Sequence, residues 1–305
     1  MAKIQRLKGI IPPMITPLLD RNTLDVAGLE RLIEHILGGG VHGLFVLGTT
    51  GEAPSLSYKL RYELIDRVCK QVKGRVPVLV GITDTIFVES INVAQHAEKA
   101  GADAVVLAPP YYFPEGQLEI LEYLEHLLKE INLPVYLYNM PSYTKFNFEP
   151  ETIVAAADLN GIYGLKDSSA DMMYFHKIQR TLKDRDNFSL FIGPEELLAE
   201  SLFVGADGGV NGGANFYPEL YVNLYNAAQA QDWEKVKNLH YKIIEIRSTI
   251  YSVGHYQSSL LKGLKCALSL LGICNDCMAE PFHAFKKQEE REKIRHYLTQ
   301  LGLLK

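Results

Sequence analysis

The 305-residue chain is 47% hydrophobic and 22% charged, the balance of an ordinary water-soluble globular protein. Its 31 basic and 36 acidic side chains leave a net charge of −5, with no basic footprint for nucleic acid. No apolar run approaches the roughly 18 residues of a membrane span, the opening MAKIQRLKGI lacks the apolar centre of a signal peptide, and four cysteines are too few for a disulfide scaffold, so a cytoplasmic protein is expected.

Short apolar runs alternate with amphipathic stretches along the chain. In order, strands are expected at Gly9–Pro17, Gly43–Gly48, Pro77–Ile82, Ala104–Pro110, Pro134–Asn139, Ile162–Asp167, Leu190–Pro194 and Gly208–Asn215. Between them the 3.6-residue period predicts helices such as Leu56–Val72, Phe87–Ala100, Gln117–Ile131, Asp171–Lys183 and Glu195–Val204. Continuous apolar strands separated by helices point to a parallel sheet covered on both faces. Eight such units fit a closed (β/α)8 TIM barrel better than an open doubly wound sheet, and no Gly-x-Gly-x-x-Gly follows the first strand. Beyond residue 217 the strand signals stop, and helices are expected at Glu219–Gln229, Asp232–Tyr251, Tyr256–Leu271 and Pro281–Leu301. The first completes the barrel. The other three make a C-terminal three-helix appendage, dividing the chain into a catalytic barrel over 1–230 and an extension packed on it over 231–305.

In a barrel the chemistry sits at the C-terminal ends of the strands. The second strand ends in Gly48-Thr49-Thr50-Gly51-Glu52, two hydroxyls between two glycines at a strand-to-helix turn, which suits an anion such as a carboxylate. The plain alternative is a helix cap at Ser55 or Ser57. The fourth strand ends in Tyr111-Tyr112 and the fifth in Tyr138-Asn139-Met140-Pro141-Ser142-Tyr143. A phenol closing a strand beside a lysine is a reasonable proton shuttle, whereas tyrosine pairs more often serve packing. In the sixth strand Lys166 ends an apolar run, where an ammonium is costly to desolvate. Such a lysine either pairs with Asp167, or snorkels to water, or loses its charge and becomes the neutral amine that forms a Schiff base with a carbonyl.

Other signals are weaker. Cys274 and Cys277 have Cys-x-x-Cys spacing without a second pair, and the nine histidines show no metal-binding spacing. The run Lys286–Arg295 reads as a solvated helix face.

Taken together, Gly-Thr-Thr-Gly-Glu at 48–52, Tyr-Asn-x-Pro at 138–141 and Gly-x-Lys-Asp at 164–167 resemble the dihydrodipicolinate synthase / N-acetylneuraminate lyase family of class I aldolases, from about residue 8 through the C-terminal helices. The resemblance implies that Lys166 forms an imine with pyruvate or another small 2-oxo acid and that Tyr138 relays protons. It implies that Gly48, Thr49 and Thr50 hold the substrate carboxylate, with Thr49 also linking Tyr138 to Tyr112 of a neighbouring subunit in a homotetramer built as a dimer of dimers. Gly193 and Val210 match positions lining the pocket, and no metal or organic cofactor is implied.

The substrate is read from Tyr143. Dihydrodipicolinate synthases carry Tyr-Asn-Val-Pro-Ser-Arg-Thr here, and the arginine anchors the carboxylate of aspartate semialdehyde; this chain offers a neutral phenol instead, with Lys145 two residues on. The neuraminate lyase pattern Gly-Ser-Thr-Gly-Glu is also absent. The expectation is therefore an aldolase cleaving a 2-oxo-3-deoxy sugar acid to pyruvate and an aldehyde, with dihydrodipicolinate synthase or N-acetylneuraminate lyase as alternatives. A sugar-phosphate enzyme using the glycines after the seventh and eighth strands leaves Thr49, Thr50 and Tyr138 without a task. A non-catalytic ligand-binding barrel needs no such constellation.

Overall fold

The computed structural model describes residues 6–113 and 115–304. All eight expected strands form: β1 (Gly9–Ile10), β2 (Leu44–Val46), β3 (Val78–Gly81), β4 (Ala104–Leu107), β5 (Val135–Asn139), β6 (Ile162–Asp167), β7 (Ser189–Ile192) and β8 (Gly208–Gly209). They pair in parallel in the order β1-β8-β7-β6-β5-β4-β3-β2. The ring closes where Pro13 bridges Phe45: the Phe45 N–H donates to Pro12 O at 3.0 Å and the Met14 N–H donates to Phe45 O at 2.8 Å. Helices α1 (Val26–Gly38), α2 (Tyr58–Val72), α3 (Phe87–Ala100), α4 (Gln117–Glu130), α5 (Pro150–Asp158), α6 (Met172–Leu182), α7 (Leu198–Phe203) and α8 (Pro218–Gln229) follow the strands in turn. The fold is the expected (β/α)8 barrel followed by C-terminal helices.

The two-residue period of the strands sorts their side chains into two cores. Outward-facing Leu44, Val46, Val78, Val80, Val105, Leu107, Val135, Leu137, Leu165, Leu190 and Ile192 join the apolar faces of the helices in one large cluster. Inward-facing Ile11, Phe45, Leu79, Val106, Tyr136, Tyr138, Phe191 and Val210 fill the barrel. Gly164 on β6 makes room for this filling, since a Cβ there would lie 2.6 Å from the Tyr136 ring. Position 166 is the next inward site on β6, so Lys166 is aimed into the barrel above this packed floor.

Several boundaries differ from expectation. The expected first strand Gly9–Pro17 has regular pairing only at Gly9–Ile10, because Pro12 and Pro13 supply no N–H to the ladder. The expected strand Gly208–Asn215 pairs only at Gly208–Gly209 and then turns into a one-turn 3-10 helix, Gly212–Asn215. There the Asn215 side chain takes over from the ladder, accepting from the Ile15 N–H at 2.9 Å and donating to Pro13 O at 3.0 Å. In the C-terminal region α9 covers Trp233–Ser248, capped by Asp232, and is followed by a 3-10 stretch at Ile250–His255 broken at Gly254 (φ +83°). The expected helix from Tyr256 starts later, as α10 (Ser259–Leu270), because the Ser259 hydroxyl holds the preceding turn, accepting from the Tyr256 N–H and donating to Val253 O, both at 2.8 Å. The expected helix Pro281–Leu301 is shortened to α11 (Gln288–Gln300), where Glu290 accepts the Lys287 N–H at 3.4 Å. The outer apolar cluster runs on into this region through Leu264, Leu268, Ile294 and Leu298. No helix among the described residues is long and apolar enough to cross a membrane.

Candidate active site

Parallel pairing of β5 with β6 places Tyr138 opposite Lys166, and β7 adds Phe191 on the other side of Lys166. Lys166 is 6% exposed, with its Nζ 4.0 Å from the centre of the Tyr138 ring and 5.3 Å from that of Phe45. It has no carboxylate partner among the described residues. The pairing with Asp167 that the sequence allows does not form, because adjacent strand residues face opposite ways. Asp167 points outward and is held by Asn139 Nδ2 at 3.0 Å, the Ser169 N–H at 3.1 Å and the Ser169 hydroxyl at 2.9 Å. Burial pushes the Asp167 carboxyl above its ordinary range despite these donors.

The Tyr138 hydroxyl stands 3.3 Å from Thr49 Oγ1, and either group can donate. Burial works to raise the phenol's pKa, but the Lys166 ammonium and hydrogen bonding with Thr49, Ser168 and Lys166 outweigh it, leaving the phenol below its ordinary value. A buried tyrosine held below its ordinary pKa is suited to exchanging protons with a neighbouring amine. Ser168, to which the sequence reading gave no role, is thus part of this group. Its place explains Gly193: a Cβ on residue 193 would overlap the Ser168 hydroxyl, so only glycine leaves that oxygen its position.

The Gly48–Glu52 segment arrives from β2. It is bracketed by two non-glycine residues in the left-handed region, Leu47 and Glu52, both at φ +58°. Such conformations cost about 1 kcal/mol or more each and persist only where the surroundings enforce them. Here the Thr16 hydroxyl donates to Gly51 O at 2.7 Å and the Glu52 N–H donates to Thr49 O at 3.0 Å. Gly48 lies against Phe45, where a Cβ would come 2.7 Å from the ring. Thr49 and Thr50 remain half-buried at the end of the strand. The capping alternative also holds, further along: Ser57 accepts the Leu60 N–H at 3.3 Å and starts α2.

Lys166, Tyr138 and Thr49 therefore converge, with Gly193 against Ser168, Val210 in the same inner core as Tyr138, and Gly48 and Thr50 on the loop that carries Thr49. Two predicted residues do not join them within the chain. Tyr112 is 78% exposed and stacks edge-on with Phe113 at 5.3 Å, while Tyr143 is 60% exposed on a one-turn helix, Pro141–Thr144, that leaves β5. Lys145 turns away, its Nζ donating to Ser142 O at 2.8 Å. Asn139 is fully buried and ties β5 to β6 through Asp167 and to the following loop through the Phe148 N–H and Asn147. A cavity of about 300 Å³ opens between the loops after β3 and β4, walled by Phe87, Tyr112, Phe113 and Tyr123; it reaches neither Lys166 nor Tyr138. The candidate chemistry rests on the buried lysine instead. Cys274 and Cys277 are free thiols, both held above their ordinary pKa by burial, and no group of metal-ligating side chains is assembled among the described residues.

Proteins of similar sequence share this fold. The model of the "Dihydrodipicolinate synthetase family" matches residues 6–301. The chain is 30% identical, over 99% of both sequences, to the "probable 2-dehydro-3-deoxy-D-pentonate aldolase YjhH" of Escherichia coli K12. A solved structure described as dihydrodipicolinate synthase from Bacteroides thetaiotaomicron is 59% identical, with a TM-score of 0.94 over 96% of this chain and 98% of that one. The E. coli K12 protein YagE, solved in complex with pyruvate, is 30% identical, with a TM-score of 0.91 over 97% of this chain and 99% of that one.

Proposed function

Because the chain belongs to the dihydrodipicolinate synthetase family, whose members are lyases and synthases of the Schiff-base type that use no metal cofactor, we propose that it is a pyruvate-dependent aldolase with Lys166 as the nucleophile. The observation that carries this reading is the Tyr138–Lys166 register pair with Thr49 3.3 Å from the tyrosine hydroxyl. Lys166 passes its ammonium proton to the ionised Tyr138 and its amine adds to the carbonyl carbon of a 2-oxo acid; Tyr138 then returns the proton to the carbinolamine hydroxyl, which leaves as water to give a protonated imine. The imine withdraws electrons from the neighbouring carbons. In cleavage, the hydroxyl at C4 passes its proton to the ionised Tyr138, the C3–C4 bond breaks, and an aldehyde departs from an enamine. Protonation of the enamine carbon and hydrolysis release pyruvate and restore the lysine. Gly48, Thr49 and Thr50 hold the carboxylate, and Gly193 and Val210 line the pocket beside the reacting carbon.

For the second product, the reading is a neutral polyhydroxy aldehyde, so that the substrate is a 2-oxo-3-deoxy sugar acid. Tyr143, where the synthases need a cation, supports it, as does the likeness to the pentonate aldolase. A second reading, dihydrodipicolinate synthase, is favoured by the name of the 59% identical Bacteroides protein. Tyr112 acts from a neighbouring subunit, which makes the working form a homo-oligomer, in a cytoplasmic setting. Residues 1–230 form the catalytic barrel and 231–305 its extension.

The test is to incubate the protein with pyruvate, reduce with borohydride and measure intact mass. An adduct present in the wild type and absent in Lys166→Ala is expected; an adduct that survives the substitution, or none at all, removes the imine mechanism. Turnover of a panel of 2-oxo-3-deoxy acids, set against condensation of pyruvate with aspartate semialdehyde, decides the substrate. Faster condensation of the semialdehyde overturns the use made of Tyr143.

A further inference from the structure

The glutamate that ends Gly-Thr-Thr-Gly-Glu has no place in the chemistry above, yet it is among the most enclosed charged groups in the protein. Glu52 forms an ion pair with Lys265 of α10, and both side chains are 1% exposed. The other carboxylate oxygen accepts the Ala279 N–H at 2.8 Å, and Lys265 Nζ also donates to Cys277 O at 2.7 Å. The barrel loop carrying Thr49 and Thr50 is thus fastened to two separate pieces of the C-terminal region, α10 and the 277–279 segment. A burial this complete needs both charges paired and hydrogen-bonded, and the ion pair and the Ala279 bond meet at a residue whose own backbone sits at φ +58°. Glu52 lies directly after Gly51 in a turn where its N–H bonds to Thr49 O, so fixing Glu52 fixes the direction of the Thr49 carbonyl and the pitch of the whole turn.

We propose that Glu52 and Lys265 are positioning residues for the Thr49–Thr50 carboxylate subsite, so that the C-terminal region completes the substrate site instead of merely covering the barrel. This rests on the reading of Thr49 and Thr50 given above. Neither side chain touches substrate; they act by holding the loop in its strained turn, in addition to the Thr16 hydroxyl that donates to Gly51 O from the barrel side.

The test compares the wild type with Glu52→Gln, Lys265→Met and the double variant. The single variants leave one buried charge uncompensated and are at risk of misfolding; the double variant removes both charges while the glutamine oxygen still accepts from Ala279. Two quantities are read on folded double variant. The pyruvate concentration giving half-maximal borohydride trapping should rise at least tenfold, with saturated trapping still at Lys166. Amide hydrogen exchange of residues 48–53 should quicken by a similar factor, while β5 and β6 stay protected. Unchanged exchange together with unchanged half-saturation overturns the proposal, because the pair would then be structural only. Faster exchange without a change in half-saturation also overturns it, since a loosened loop that binds pyruvate as before is not a subsite held by this pair. If the wild type traps no pyruvate, the imine reading fails, while the exchange rates still decide whether the pair holds the loop.

Discussion

At the scale of single residues, the site is a matter of which atoms surround one phenol. Tyr138→Phe keeps the ring over Lys166 and removes only the hydroxyl, so kcat should fall on the order of 10²- to 10⁴-fold in a steady-state assay while thermal stability changes little. The hydroxyls around Tyr138 make a subtler prediction. A donor facing the ionised phenol holds its pKa down, so removing one raises it and the base is formed only at higher pH. Ser168→Ala should therefore move the acid limb of the pH–kcat/KM profile upward by about one pH unit, given that a hydrogen bond to a charged group is worth roughly 1.5 kcal/mol. An unmoved limb would show that Ser168 does not face the phenolate. The sequence displayed Lys166, Tyr138 and Thr49 because each is a polar interruption at a strand end. It was silent on Ser168 and Glu52, whose partners Gly193 and Lys265 lie 25 and 213 residues further along the chain.

At the scale of elements, two features follow from how strands and loops meet. β8 is two glycines because the barrel closes on it: a Cβ on Gly208 would overlap the backbone of Gly9 on β1. Gly208→Ala should cost about 3 kcal/mol or prevent folding, measured by urea unfolding, since the obstacle is main chain and cannot rotate away. The loops after β7 and β8 meet at Glu195, which accepts the Gly213 N–H at 2.8 Å and the Tyr221 hydroxyl at 2.9 Å. Burial lifts its carboxyl from an ordinary 4.5 to about 7, with Glu196 adding to the rise and the donors from Gly213, Tyr221 and Tyr251 opposing it. A raised carboxyl pKa means that the folded state keeps a proton that the unfolded chain releases. Stability therefore falls as pH rises from about 4.5 to 7. Glu195→Gln should flatten that slope, matching the wild type near pH 5 and exceeding it by about 2 kcal/mol at pH 8. Chemical denaturation at the two pH values checks this, and a slope that survives the substitution would assign the effect to another group. Both glycines and the glutamate were visible in the sequence as residue types. Their reasons were not, because a hydrophobic pattern records which face is buried and never what stands opposite.

At the scale of the whole molecule, Tyr112 stands apart from the buried lysine within one chain, its ring largely exposed in the loop after β4. If a neighbouring copy completes the site, sedimentation velocity should give a species of at least twice the 34.2 kDa chain. Tyr112→Phe should then lower kcat about tenfold or more without changing that mass; a fully active monomer would remove Tyr112 from the mechanism. The sequence by itself determined the barrel. Eight apolar runs at regular intervals can bury both faces of a parallel sheet in few other ways, and the strand ends then announce where the polar work is done. It also located the lysine, the tyrosine and the threonine turn, since each breaks a local pattern. Only the tertiary structure decided which of these groups touch and how the turn is held. The Tyr138–Lys166 pairing depends on register between two strands, and the Glu52–Lys265 clasp depends on a helix returning to the barrel mouth long after the barrel is built. Local periodicity fixes which way a side chain faces; only the closing of the chain on itself supplies the partner it meets there.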